Sequence, residues 1–165
     1  MTTFIPDHTA LDSEKKVPFF EDSAAAGVAG RGTEKTVTRL LAEVNGWIVK
    51  LGGFQPMVAP GKFPHITDAG HKINRYGLQF TFIVNGTKAR IDCAALPIRK
   101  ETEIKKDRAL AQALYLLRDK LQADYYNWIY SPGAIPLLPY LLGPSGKTVT
   151  ESIRESGVLG LGDGT

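Results

Sequence analysis

The first apolar pattern along the chain predicts an amphipathic helix from Thr33 to about Leu51. Six apolar residues recur at helical spacing and would share one face: Val37, Leu40, Leu41, Val44, Ile48 and Leu51. Thr33 suits the N-cap position, because its side chain can accept a hydrogen bond from a backbone amide of the first turn. Gly52-Gly53 should end the helix, since glycine readily takes the left-handed conformation that follows a helix C-terminus.

A second pattern, LQFTFIVNGTKARIDC from Leu78 to Cys93, predicts a β-hairpin. Asn85-Gly86 supplies the two positive-φ positions of a type I′ turn, so Val84 should pair with Thr87 and fix the register. In that register six residues face the core: Leu78, Phe80, Phe82, Ala89, Ile91 and Cys93. The opposite face carries Gln79, Thr81, Ile83, Lys88, Arg90 and Asp92. Cys93 is therefore expected to be a small core residue rather than a reactive thiol.

The residues between the first helix and the hairpin carry mixed signals. Residues 54–58 are typical of a short strand, and Pro56 would confine that strand to a sheet edge because proline cannot donate a ladder hydrogen bond. Residues 59–75 contain two Pro, two Gly, two His and several charges, which is typical of a long loop. His65, Asp68 and His71 lie close together there, but no fourth metal ligand is evident, so a polar loop is favoured over a metal site.

After the hairpin, Pro97 ends the last strand, and a long helix is predicted from Thr102 to about Tyr130, where Pro132-Gly133 stops it. The apolar face of this helix consists of Ile104, Leu110, Leu114, Leu117, Leu121, Tyr125 and Trp128. The order of elements is therefore helix, short strand, two-stranded hairpin, long helix. This order predicts an α+β fold in which a small antiparallel sheet is covered on one face by two helices, in α-β-β-β-α order.

Three regions are expected along the chain: a flexible N-terminal arm over residues 1–32, a basic α+β core over 33–130, and a Pro- and Leu-rich extension over 131–165. The arm is rich in Gly and Ala, which favours mobility, and Phe19-Phe20 is its apolar exception. In the extension, the segment from Leu137 to Leu142 is apolar and broken by proline. Thr148 and Glu151 have the capping-box spacing that starts a short helix, before a loose tail.

Composition and charge indicate which kind of partner and which cellular compartment to expect for this fold. The chain has 165 residues and a net charge of +3, but residues 33–130 hold 15 Lys and Arg against 9 Asp and Glu, so the core is the basic part. Uneven basic charge favours a polyanionic partner such as DNA or RNA. No apolar run is long enough for a membrane span, no secretory signal is visible, and one cysteine fits a reducing compartment, so a cytoplasmic protein is expected.

The basic residues of the core are the candidate site. They fall on the open hairpin face, in the loop before the long helix, in the first turns of that helix and in the predicted 59–75 loop: Lys88, Arg90, Arg99, Lys100, Lys105, Lys106, Arg108, Lys62, Lys72 and Arg75. Lysines beside the backbone amides of a helix N-terminus make a phosphate site. The sequence therefore predicts a non-catalytic nucleic-acid-binding accessory protein with no cofactor and no metal.

Over residues 33–123, the order of elements resembles that of a double-stranded-RNA-binding domain. The counterparts are the helix from Thr33, His65 in the loop between the first two strands, and Lys105-Lys106 with Arg108 at the start of the second helix. The resemblance implies contacts to minor grooves and phosphates that follow the shape of a duplex. The chain departs from the family because its loop lacks the Gly-Pro-x-His string and its second helix has Leu and Tyr where the family favours Ala.

Two alternatives remain. One is a protein–protein adaptor or homo-oligomeric module that docks through Phe19-Phe20 and the segment from Leu137 to Leu142. The other is a metal-dependent nuclease, because Asp92 followed by Glu103-Ile-Lys105 resembles the active site of the PD-(D/E)xK family, in which two carboxylates hold the metal and the lysine positions the attacking water. Here Glu103 and Lys105 fall at a helix start rather than on a strand beside Asp92.

Overall fold

The computed structural model describes residues 16–156, which form a three-stranded antiparallel sheet with two long helices on one face. The elements in chain order are α1 (Val37–Lys50), β1 (Phe54–Ile66), β2 (Lys72–Val84), β3 (Thr87–Ala94), α2 (Glu103–Tyr130) and α3 (Val149–Ser156), with short 3-10 turns at Phe20–Asp22 and Leu138–Tyr140. The predicted α+β fold and its α-β-β-β-α order are confirmed. No helix within residues 16–156 is long and apolar enough to cross a membrane.

The main core lies between the sheet and the two long helices. These helices run parallel: the Arg108 guanidinium donates to the Thr33 carbonyl just before α1 at 2.8 Å, and the rings of Trp47 and Tyr125 lie 5.5 Å apart near the other ends. The most deeply buried apolar side chains are Leu40, Val44, Ile48, Phe80, Ile91, Leu114 and Leu121. Burial of each such side chain stabilises the fold by roughly 1.5–3 kcal/mol relative to an exposed position.

The β2–β3 hairpin has the predicted register. Pairing runs from Val84 with Thr87 at the turn to Leu78 with Cys93. The turn residues Asn85 and Gly86 have φ angles of 48° and 78°, as a type I′ turn requires. All six residues predicted for the inner face are buried. Burial also raises the pKa of the Cys93 thiol to about 12, which keeps the thiol protonated and unreactive.

The prediction of a loop over residues 59–75 is wrong. β1 continues to Ile66, and β2 begins at Lys72, so only a turn over residues 67–71 separates them. Register pairs run from Met57 with Thr81 through to Ile66 with Lys72. β1 tolerates its prolines because it is an edge strand: Pro60 and Pro64 are four residues apart, so both direct their missing N–H group toward the same open edge. The prolines led us to predict a loop, but the chain forms an edge strand over these residues.

The start of α1 differs from the prediction by three residues. Its N-cap is Thr36, whose Oγ1 accepts a hydrogen bond from the Arg39 amide at 3.2 Å, whereas Thr33 lies outside the helix. Thr36 is the better-placed cap because it directly precedes Val37, the first residue of the apolar face. At the other end, Gly52 has a φ angle of 101°, which confirms the predicted glycine stop.

The long helix α2 begins as predicted after Thr102, whose Oγ1 accepts a hydrogen bond from the Lys105 amide at 3.1 Å. Its apolar face holds only in the middle, because Ile104 and Trp128 are exposed. The ends are exposed because of the length of the helix. A helix of 28 residues is about 42 Å long, whereas a strand of eight residues such as β3 is about 27 Å long. α2 is therefore too long to pack against β3 over its whole length.

Residues 16–32, which belong to the predicted flexible arm, lie against the start of α2 and the β3–α2 loop. Phe20 is buried, and its amide donates to the Pro97 carbonyl at 2.8 Å. Ser23 is buried as well, and its hydroxyl donates to the Phe20 carbonyl at 2.8 Å. The docking point predicted at Phe19-Phe20 is thus occupied within this chain through Phe20. Residues 1–15 of the predicted arm lie outside the described residues.

The segment from Leu137 to Leu142 also packs on its own chain, along the outer edge of β3. Leu137 is buried in the main core, the Leu142 amide donates to the Lys88 carbonyl at 2.8 Å, and Leu141 forms a bridge with Ala89. This segment therefore covers part of the β3 edge, which a three-stranded sheet would otherwise expose.

The short helix α3 starts with the predicted capping box. The Thr148 amide donates to Glu151 Oε2 at 2.9 Å, and the Glu151 amide donates to Thr148 Oγ1 at 3.2 Å. This reciprocal pair fixes the position of the Glu151 carboxylate, which matters for the sheet face described next. The predicted loose tail lies largely beyond residue 156 and outside the described residues.

Candidate nucleic-acid interface

The sheet face opposite the helices carries Lys88, Arg90 and Asp92, as the hairpin register predicted. Arg90, however, is mostly buried. Its guanidinium is paired with the Glu151 carboxylate of α3, and its Nε lies 3.3 Å from Asp92 Oδ2. Asp92 in turn accepts a hydrogen bond from the Gln79 side chain at 3.0 Å. Two carboxylates therefore neutralise Arg90, and this half of the face presents little positive charge.

Three of the predicted basic residues around the start of α2 contact the arm, although Lys100 does so only through its backbone amide. The Glu21 carboxylate accepts hydrogen bonds from the Arg99 and Lys100 amides at 3.0 and 3.1 Å, and it lies 3.2 Å from Lys105 Nζ. The Arg99 guanidinium pairs with Asp22. Burial alone would raise the pKa of Glu21, but the amides of Lys100 and Arg99 and the Lys105 ammonium outweigh it and lower that pKa to about 2. Glu21 is therefore charged and balances Lys105.

The guanidinium groups of two arginines from the predicted site donate hydrogen bonds to backbone carbonyls instead of facing solvent. The Arg75 guanidinium donates to the carbonyls of Ala95 and Ala94 at 2.8 and 3.2 Å, just after β3. The Arg108 guanidinium donates to the Thr33 carbonyl before α1 and also pairs with its neighbour Asp107 at 3.0 Å. These contacts join the ends of secondary-structure elements, so the two residues hold the fold together.

Four lysines at the α2 end of the sheet form no ion pair with any described residue: Lys62, Lys72, Lys100 and Lys106. Two of them share an aromatic ring. Lys62 Nζ of β1 and Lys106 Nζ of α2 lie 5.3 and 4.5 Å from the centre of the Tyr76 ring. Both distances allow a cation–π attraction, which holds the ammonium groups in place without neutralising them. We call Lys62, Tyr76 and Lys106 the lysine–tyrosine cluster.

The cluster lies on the helix side of the sheet. Tyr76 is an even number of residues from the buried Leu78 and Phe80 on β2, so its side chain lies on the same face as theirs. Lys72 is four residues before Tyr76 and falls on that face as well. The cluster is thus separated by the sheet from Arg90 and Asp92.

Acidic residues border the cluster and orient its ring. The Tyr76 hydroxyl donates to Glu101 Oε2 at 2.8 Å, and this hydrogen bond raises the pKa of Tyr76, so the hydroxyl stays protonated. Glu103, at the first position of α2, lines the same hollow as Tyr76 and Lys106. The two carboxylates offset part of the positive charge of Lys62, Lys72, Lys100 and Lys106, so this surface is not a broad basic patch.

The residues that resemble a nuclease site are not brought together. Asp92 lies on the open face, bonded to Gln79, while Glu103 lies on the helix side beside Tyr76. Lys105 is paired with Glu21. Within residues 16–156, no group of three or more His, Cys, Asp or Glu side chains is arranged to hold a metal ion, and this includes the region of His65 and His71.

Tyr76 was not among the residues singled out from the sequence. It directly follows the predicted 59–75 loop, where neither its strand face nor its distance from α2 could be assigned. Lys62 was recognised only as one of several loop cations. The signal that identifies the cluster is the long β1–β2 pairing, which places Lys62 directly opposite Tyr76.

Comparisons with models of protein families, with curated proteins and with solved structures found no match for this chain. The resemblance to double-stranded-RNA-binding domains is therefore one of element order alone, and fold analogy carries little weight for function. A functional assignment has to be argued from the surfaces of this molecule.

Proposed function

We propose that the protein is a non-catalytic nucleic-acid-binding protein that contacts the phosphate backbone through the lysine–tyrosine cluster. One observation carries the proposal: Lys62 and Lys106 come from different elements, converge on the Tyr76 ring, and keep their charge unpaired among the described residues. Two ammonium groups held at one place are arranged to bind phosphate oxygens. Lys72 and Lys100 would extend the contact on either side.

The character of this surface favours backbone contact over base recognition. Lysine is a compact point charge that attracts phosphate with little directional demand, whereas base recognition usually depends on forked donors such as arginine. The arginines of this region are committed elsewhere, as in Arg75 and Arg108. Binding should therefore depend weakly on nucleotide sequence, and Glu101 and Glu103 should keep the affinity moderate.

Salt dependence is the first test. Fluorescently labelled single- and double-stranded DNA and RNA would be titrated at about 50 and 200 mM salt, and contacts by up to four lysines predict a log–log slope no steeper than about −4. For duplex DNA, four contacts at about 0.9 each give a slope of about −3.6, which corresponds to a loss of up to about 150-fold in affinity over that salt range. Absence of binding to all four nucleic acids, or binding that does not respond to salt, would overturn the proposal.

A pair of charge reversals locates the contact. The double variant Lys62→Glu/Lys106→Glu should weaken binding at least about tenfold, because it replaces two phosphate-binding cations with two anions. The matched control is Lys50→Glu, since Lys50 Nζ also lies over an aromatic ring, 4.3 Å from that of Trp47, at the far end of α1. The control should bind like the wild type. Circular dichroism and thermal unfolding would show that both variants remain folded.

A cytoplasmic location is part of the same proposal. Cys93 is the only cysteine of the chain, and it is buried as a free thiol, which fits a reducing compartment. Nucleic acid is available there. Fractionation of cells that express the tagged protein would test this location directly.

A further inference from the structure

The open face of the sheet has an apolar half that the sequence pattern did not reveal. Phe54, Met57 and Ile83 are 62%, 70% and 36% exposed, although each is a large apolar side chain. The register places Phe54 opposite Ile83, and Met57 opposite Thr81, on neighbouring strands. We call Phe54, Met57 and Ile83 the apolar patch. Contiguous exposed apolar groups on a sheet face commonly mark an interaction surface.

Within residues 16–156, the chain covers most other apolar parts of the sheet, although Ile66 at the end of β1 is also exposed. α1 and α2 cover the opposite face, and the C-terminal segment approaches the β3 half of this face, where Glu151 pairs with Arg90. The same segment bonds to the β3 edge through the Leu142 amide. The apolar patch on β1 and β2 is left uncovered next to these protected regions.

The strand segments that carry the patch are uncharged, although Lys88 of β3 lies opposite Ile83 at its border. Residues 54–61 of β1 and 77–84 of β2 contain no Asp, Glu, Lys, Arg or His. In a two-fold symmetric contact each residue meets its own counterpart or a close neighbour, so a charged patch would repel itself. An apolar patch on uncharged strand segments can therefore pack against a second copy of itself without repulsion between like charges.

The edge of β1 determines how two copies would meet. Pro60 and Pro64 remove N–H donors from the open edge, so β1 is poorly suited to adding a strand from another chain. Face-to-face packing of the two sheets remains, and this arrangement buries the side chains of the patch directly.

We infer that the protein forms a symmetric homodimer by face-to-face packing of the apolar patch. This inference does not depend on nucleic-acid binding. The lysine–tyrosine cluster lies on the other face of the sheet, so the dimer leaves both clusters exposed. Stable interfaces bury about 800 Å² per partner, and a large aromatic side chain supplies at most roughly 150–250 Å². Three partly exposed side chains therefore predict a dimer of micromolar rather than nanomolar affinity.

Sedimentation velocity of the full chain over about 1–200 µM tests the inference, since a micromolar dimer changes its mass across that range. The wild type should shift from monomer to dimer, and Met57→Glu/Ile83→Glu should stay monomeric throughout. The matched control is Ile104→Glu, an apolar residue that is 76% exposed at the start of α2, outside the patch. This control should dimerise like the wild type.

Cysteine cross-linking identifies the face independently of any variant that destabilises the fold. Thr81 is exposed opposite Met57, and Cys93 is buried, so Thr81→Cys introduces one accessible thiol in the patch. Mild oxidation should convert this variant into a disulfide-linked dimer, whereas Lys50→Cys on α1 should remain monomeric under the same conditions. A wild type that is monomeric at 200 µM, or a dimer that survives Met57→Glu/Ile83→Glu, would refute the inference.

Discussion

The Glu21 carboxylate joins three parts of the molecule at a single point. It accepts hydrogen bonds from the Arg99 and Lys100 amides of the β3–α2 loop and pairs with Lys105 on α2, while its own backbone belongs to the N-terminal segment. These contacts favour the charged carboxylate and lower its pKa to about 2 despite partial burial. Docking of the segment therefore depends on the ionisation of this residue.

Glu21→Gln should lower the free energy of unfolding at pH 7 by about 1–2 kcal/mol, since hydrogen bonds to a charged group contribute more than those to a neutral one. The folded-state pKa lies below the ordinary value of 4.5, so the stabilisation is complete above that pH and declines as the pH falls toward about 2. The difference between wild type and variant should shrink over the same interval. Urea unfolding followed by tryptophan fluorescence measures it.

Glu34→Gln is the control for this experiment, because Glu34 is an exposed carboxylate nearby that forms no ion pair with a described residue. Its effect should stay within about 0.5 kcal/mol at every pH. A difference between Glu21→Gln and wild type that does not change between pH 7 and pH 2.5 would show that the carboxylate charge is not what holds the segment.

Which cations are available to a ligand could not be predicted from the sequence. Arg90 and Lys105 look equivalent to Lys106 there, but Glu151 and Glu21 neutralise the first two. The partners are separated by 61 and 84 residues along the chain. Spacing rules apply to neighbours on one element, so they identify basic residues without showing which charges are already paired.

At the scale of elements, the β1–β2 ribbon is the feature that most changes the candidate site. The two strands, of thirteen residues each, pair across a short turn, and the Thr67 amide donates to the His71 carbonyl at 2.9 Å to close it. This pairing places Lys62 opposite Tyr76, beneath Lys106 of α2. A flexible loop over the same residues would leave no fixed position for these groups.

Amide exchange distinguishes the ribbon from a loop. The missing N–H groups of Pro60 and Pro64 point to the open edge, so residues an odd number of positions away direct theirs toward β2. The amides of Phe63 and His65 should therefore exchange slowly, and those of Lys62 and Ile66 should exchange quickly. Hydrogen–deuterium exchange followed by NMR resolves the four amides. Uniformly fast exchange over residues 62–66 would contradict the extended strand.

Elements with a strong local signal were predictable, and those that depend on sheet position were not. The Asn85-Gly86 turn fixed the hairpin register because a two-residue loop allows a single pairing of its flanking strands. The extension of β1 had no such signal. Proline argues against a central strand but is tolerated in an edge strand, and the sequence did not show that β1 pairs with β2 alone.

At the scale of the whole molecule, the sheet separates two surfaces of different character. The lysine–tyrosine cluster lies on the helix side, and the apolar patch lies on the opposite side, beside a region where Glu151 neutralises Arg90. The hairpin pattern predicted which residues face away from the helices, but not that the C-terminal segment would reach their charged half. The open face that we predicted to be basic is for this reason largely apolar and neutral.

Separate surfaces predict that dimerisation and nucleic-acid binding can be abolished one at a time. Lys62→Glu/Lys106→Glu should remain dimeric in sedimentation velocity while losing affinity for nucleic acid. Met57→Glu/Ile83→Glu should be monomeric and bind a duplex too short for two clusters as tightly as the wild type does. On a long duplex the same monomeric variant should also bind as tightly as the wild type, because face-to-face packing turns the two clusters away from each other and one stiff duplex cannot contact both.

The length dependence is the informative comparison. If the wild type and the monomeric variant bind short and long duplexes with the same ratio of affinities, the two clusters of a dimer do not engage one duplex together, as their opposed orientation requires. If Met57→Glu/Ile83→Glu also loses affinity for the short duplex, the patch contributes to the contact itself, and the assignment of binding to the helix side of the sheet is incorrect. Retention of short-duplex affinity with loss on the long duplex would show that both clusters reach one duplex, and it would contradict the face-to-face arrangement of the dimer.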